Sequence, residues 1–74
     1  MIRIPPQSIE AEQAVIGGLM LDTSAITRIA DILDEADFYR RAHQLIFRAI
    51  KELDAKRQPY DAVTLGDWFE AHGM

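Results

Sequence analysis

The chain has 74 residues, 49% of them hydrophobic, and no cysteine, so it can form one small domain with a core but neither disulfides nor thiolate metal sites. Twelve Asp and Glu against eight Lys and Arg give a net charge of −4, a poor match for a phosphate backbone that wants clustered cations, and this disfavours direct nucleic-acid binding. No apolar run is long enough to span a membrane and "MIRIPPQ" lacks the apolar stretch of a signal peptide, so the expectation is a soluble, intracellular domain.

Residues 1–7 read as an extended lead-in, because Pro5 and Pro6 disfavour helix before them. Residues 8–74 then read as one helical head. Ser8 is a plausible N-cap, with Glu10 and Glu12 at the end of the helix where its dipole favours negative charge. On a helical wheel, at about 100° per residue, Ile9, Ile16, Leu19 and Met20 share one side, with Val15 at its margin and Glu12 within the same arc. Glu10, Gln13 and Gly17 fall on the opposite side.

A carboxylate on an apolar face must be paired, protonated or bonded to free amides. With no second catalytic group beside it, Glu12 reads as a structural residue held by Arg40, Arg41 or His43. Gly17 and Gly18 each cost about 1 kcal/mol relative to alanine inside a helix. Gly18, next to the apolar arc, is assigned to internal packing against Phe38 or Phe47. Gly17, turned outward, is assigned with Glu10 and Gln13 to a partner-contact face.

In "DTSAITRIADILDEADF", Asp22, Thr23 and Ser24 offer caps, and Ile26, Ile29, Ala30 and Leu33 follow the spacing of one helical face. "DEADFYRR" reads as a single-turn connector that lodges Phe38, with Tyr39 a further candidate for the core. "RAHQLIFRAIKELDAK" is the strongest helix, with a stripe of Ala42, Leu45, Ile46, Ala49, Ile50 and Leu53, and "RQPYD" breaks it at Pro59. Phe47 lies at the edge of that stripe and is a candidate for core-edge packing or for a partner contact. In "VTLGDWFEAHGM", Thr64 and Asp67 have the spacing of a capping box, and Val63 with Trp68 that of a hydrophobic staple. Leu65, Trp68, Phe69 and His72 share a face, and Gly73 suits a C-terminal stop. The fold class predicted is all-α, an irregular bundle of three to four main helices.

Catalytic chemistry is hard to find in these residues. There is no G-x-x-x-x-G-K-[ST] loop to cradle a phosphate, and Gly17-Gly18 is followed by Leu-Met-Leu. His43 and His72 stand in different segments without ligand spacing, His43 reading as a helix-edge residue beside Phe47. Ser and Thr fall at caps and turns. The expectation is no catalytic, metal or cofactor site. The cations Arg40, Arg41, Arg48, Lys51, Lys56 and Arg57 look like a solvated face rather than a groove reader.

Taken together and in order, "PPQSIEAEQAVIGGLMLD", "FYRRAHQLIFRAI" and "DAVTLGDWFE" strongly resemble the N-terminal domain of the bacterial replicative DNA helicase, the DnaB family. The resemblance runs from about Pro5 to the end. It implies a small helical bundle joined in the parent protein to a RecA-like motor, cytoplasmic and bacterial, with ATP and Mg held only by that motor. It implies a trimer-of-dimers collar in a hexamer, contacts with other helicase subunits and primase, and action by a helicase loader. Family members continue through "GG-x-x-Y-L"-like residues into a helical hairpin that makes the dimer contact. This chain stops at "AHGM", so the resemblance implies the head without the hairpin, either monomeric or paired in another way. The alternative reading is a free-standing adaptor or regulator that binds the helicase or primase; a reading frame continuing into a motor would exclude it.

Overall fold

A computed structural model describes residues 8–73; the lead-in with Pro5 and Pro6 lies outside the described residues. Four helices follow in order: α1 (Ile9–Leu21), α2 (Ala25–Ile29), α3 (Arg41–Ala55) and α4 (Ala62–Ala71), with a 3-10 turn at Glu35–Asp37 between α2 and α3. The described residues contain no strand, and the fold is an all-α bundle. α3 is its centre, packing on α1, on the 3-10 turn and on α4, while α2 packs on α1.

Local chemistry sets where each helix begins. The Ser8 hydroxyl accepts from the Ala11 amide at 3.4 Å and starts α1. Asp22 closes the next turn, its carboxylate accepting from the Ser24 amide and hydroxyl and from Arg28. α2 is a short helix of five residues, yet it still buries Ile26 and Ile29, and Leu33 follows in the turn after it. Phe38 enters the core at 1% exposure, whereas Tyr39 stays 60% exposed, contrary to its candidacy for the core. Successive residues in that extended stretch point in opposite directions, so burying one exposes the next.

α3 ends at Ala55, ahead of Pro59. Arg57 takes a left-handed φ of 57°, and the amides of Arg57 and Gln58 close on the carbonyls of Asp54 and Leu53. That is the Schellman arrangement, with an arginine where glycine is favoured. Tyr60 then turns inward, and its hydroxyl donates to the Thr23 carbonyl at 2.8 Å, tying the α3–α4 connection to the α1–α2 turn.

The start of α4 differs from the predicted one. Asp61 is the N-cap, accepting from the amides of Val63 and Thr64, while the Thr64 hydroxyl accepts from the Asp61 amide. Thr64 therefore closes the box rather than opening it, and Asp67 lies inside the helix, exposed. Val63 is 72% exposed, so there is no staple to Trp68. A carboxylate at residue 61 is the stronger capping acceptor, and it starts the helix three residues before Thr64 could. Trp68 is buried and its indole N–H donates to Glu52 at 2.9 Å, which joins α4 to α3.

The core contains Ile16 and Leu19 of α1, Ile26 and Ile29 of α2, and Phe38, Phe47, Ile50, Tyr60, Leu65 and Trp68. Burying each large apolar side chain contributes roughly 1.5–3 kcal/mol. The rings of Phe38 and Phe47 are 5.2 Å apart, a tilted aromatic pair at its centre.

Candidate functional site

The chemically most loaded group inside the molecule is Glu12, fully buried in the middle of α1. One oxygen lies 2.6 Å from His43 Nδ1 and accepts from the Arg40 amide at 3.3 Å; the other accepts from the Tyr39 amide at 2.5 Å. Of the three candidate partners, His43 supplies its ring and Arg40 its backbone, while the Arg41 guanidinium turns away to Gln44 Oε1 at 3.0 Å. Burial by itself would raise the Glu12 carboxyl. The hydrogen bonds from His43, Tyr39 and Arg40 outweigh that and hold it below its ordinary value.

Both Glu12 oxygens are occupied by donors from the same chain, and no buried side-chain nitrogen or oxygen among the described residues lacks a partner. Glu12 thus fixes the chain reversal into α3 and presents nothing to a substrate. His43 is only 8% exposed and sits edge-on to Phe38, on the inner face of α3 rather than at its edge.

Since Glu12 faces the core, the inward direction of α1 runs through Glu12, Ile16 and Leu19. Gly18 lies about 120° from that line and is exposed, which corrects its assignment to internal packing. Gly17 is half-buried. Among the described residues, a Cβ on either glycine would meet no heavy atom within 4 Å beyond its own stretch of helix, so no close approach among them requires the glycines. The outer side of α1 is weakly polar. It carries Glu10, Gln13, Ala14, Gly18 and Leu21, all exposed, with Leu21 at 91%.

Phe47 is excluded from any contact surface, because it is 0% exposed. The buried face of α3 runs through His43, Phe47, Ile50 and Leu53, with Ala49 beside them; Leu45 and Ile46 are half-buried and Ala42 is exposed. The helix is turned from the purely apolar stripe because the Glu12 carboxylate draws His43 inward, and Phe47 follows one turn later. The polarity of His43 hid this face from a reading based on apolar spacing.

The cations scatter. Arg48 pairs with Glu35 at 2.9 Å, Lys56 with Glu52 at 3.2 Å, and the Lys51 ammonium stands 5.6 Å from the centre of the Phe47 ring. A shallow cleft of about 450 Å³ between the end of α3 and α4 is lined by Leu53, Pro59, Trp68 and His72 among others, the last two stacked at 3.9 Å. Among the described residues no group of His, Asp and Glu could hold a metal ion. None of the described helices is long and apolar enough to cross a membrane.

The family model of the DnaB-like helicase N terminal domain matches residues 4–74. A replicative DNA helicase DnaB of Geobacillus stearothermophilus is 52% identical over 63 residues, covering 85% of this chain and 14% of that protein. One from Synechocystis is 42% identical over 69 residues, covering 93% of this chain and 8% of that protein. One from Mycobacterium leprae is 42% identical over 72 residues, covering 97% of this chain and 12% of that protein. The chain thus spans only a small part of the length of these relatives. No solved structure matches it.

Proposed function

This chain belongs to the family of DnaB-like helicase N-terminal domains, and from that premise we propose that it is the non-catalytic head of a replicative helicase, supporting assembly of the hexameric collar and docking primase or a loader. ATP-dependent unwinding, with its ATP and Mg, belongs on this reading to a motor domain elsewhere in the parent protein, acting in the bacterial cytoplasm.

The observation that carries the reading is the outer side of α1. Two adjacent glycines stand in a helix interior with open space around them, at a cost of about 1 kcal/mol each. Beside them Leu21 is almost wholly exposed. Flat, small-residue relief of this kind lets another backbone come close, and the flanking Glu10 and Gln13 add polar contacts that set register. We assign Glu10, Gln13 and Gly17 as the contact residues, Gly17 lying half-buried at the margin of that face.

The test is assembly. In a helicase carrying this domain, Gly17→Leu should shift the hexamer toward smaller species in light scattering, while the same substitution leaves the helical circular dichroism of the isolated chain intact. An unchanged hexamer would remove Gly17 from the assembly surface.

A further inference from the structure

Tyr39, Arg40 and Arg41 form a second exposed group, separate from the outer side of α1. Their backbone is unusually well fixed for a connector. The amides of Tyr39 and Arg40 are both held by the buried Glu12 carboxylate, and the Phe38 carbonyl just before them accepts from Gln44 at 2.8 Å. Their side chains nevertheless stay outside, with Tyr39 60% exposed and both arginines exposed.

The charge arrangement is the second observation. Arg28, Arg48 and Lys56 each pair with a carboxylate of this chain. Among the described residues Arg40, Arg41, Lys51 and Arg57 have no such pair, although the chain carries twelve carboxylates, and of these four only Arg40 and Arg41 are adjacent in sequence. The Arg41 guanidinium is oriented by Gln44 without being neutralised. A tyrosine beside two unneutralised arginines on a fixed backbone has the composition of an interface anchor, since arginine forks match carboxylates and tyrosine supplies apolar area.

We propose that Tyr39, Arg40 and Arg41 form a docking surface for an acidic segment of a partner protein. Charge complementarity selects that occupant. Two adjacent arginine forks match the carboxylates of a short acidic segment, whereas two cations are too few to follow the extended phosphate backbone of a nucleic acid, which wants a longer cluster of them. Tyr39 would then take an apolar side chain lying between the partner's acids.

The test is fluorescence anisotropy of this chain with a labelled peptide of Glu-Leu-Glu-Ala repeats, beside the same peptide with Gln in place of Glu. Saturable binding of the Glu peptide, weakened by salt and absent for the Gln peptide, is the expected result. Arg40→Glu with Arg41→Glu should weaken it by about tenfold or more, and the milder Arg40→Gln with Arg41→Gln should weaken it in the same direction. Lys56→Glu, an equal kind of charge change at a cation already paired with Glu52, should leave it within about twofold. Binding insensitive to both arginine pairs, or no binding of the Glu peptide, overturns the proposal. Tighter binding of an oligo-dT strand through the same arginines would overturn it in favour of nucleic acid, and self-association abolished by the arginine variants would overturn it in favour of a second copy. Gln13→Ala, on the outer side of α1, should leave peptide binding unchanged, so this test and the assembly test fail separately.

Discussion

Glu12 and His43, 31 residues apart in sequence, meet with 2.6 Å between carboxylate oxygen and Nδ1 in the interior of the bundle. The contact locks α1 to the first turn of α3. Because the same carboxylate also holds the amides of Tyr39 and Arg40, its removal strands several donors at once. Glu12→Ala should cost about 2–4 kcal/mol in urea unfolding. Glu12→Gln, which keeps one accepting oxygen, should cost less. A loss below about 0.5 kcal/mol for the alanine variant would contradict this role.

The pH dependence has a definite sign. Hydrogen bonds from His43, Tyr39 and Arg40 hold Glu12 down against its own burial; the Trp68 indole, then Lys56, lowers Glu52. Ser24, then Arg28, lowers Asp22, and the Thr64 amide lowers Asp61. A carboxyl lowered on folding contributes stability that is fully present above its unfolded value and lost as pH falls through the folded one. Thermal unfolding should therefore show a plateau near neutrality and a falling melting temperature below about pH 5. In Glu12→Gln that fall should be shallower.

The capping assignment at α4 separates two aspartates six residues apart. Asp61→Ala should destabilise by about 1 kcal/mol, since it frees the amides of Val63 and Thr64. Asp67→Ala, inside the helix and exposed, should fall within about 0.5 kcal/mol of the parent. Chemical denaturation of the two variants in parallel checks this, and the reverse order would restore Thr64 as the cap.

Arg57 and the glycine pair predict gains. Arg57 occupies the left-handed position that ends α3, so Arg57→Gly should stabilise by about 0.5–1 kcal/mol. Gly18→Ala, with open space at its Cβ, should also stabilise the isolated chain, by about 0.5–1 kcal/mol. A destabilised Gly18→Ala chain would mean that the fold itself needs the glycine.

The helices were legible because their signals are local. Ser8 caps α1, and α3 lies within the segment whose apolar spacing marked it. What escaped were relations decided by packing. The inner face of α3 turns on His43, a residue that apolar spacing leaves out, and that turn brings Phe47 from the edge of the apolar stripe, where core-edge packing and a partner contact are both open, to full burial. Gly18 borders the apolar arc only through Val15 at its margin; Val15 is half-buried, and the inward line runs through Glu12, Ile16 and Leu19, which leaves Gly18 exposed. Tyr60 gave no periodic signal, since its anchor, the Thr23 carbonyl, lies 37 residues away. At α4, "DAVT" held the needed signal in an acid three residues ahead of the threonine.

The most direct test of the contact role is Glu10→Lys in a helicase that carries this domain, read as primase binding and primase-stimulated unwinding. Glu10 is exposed, and among the described residues its carboxylate makes no ion pair. The account predicts that both readouts fall by about tenfold or more, while the melting of the isolated domain stays within about 0.5 kcal/mol of the parent. Primase binding and stimulation equal to the parent's would contradict the assignment of the outer side of α1 as the surface that a partner reads.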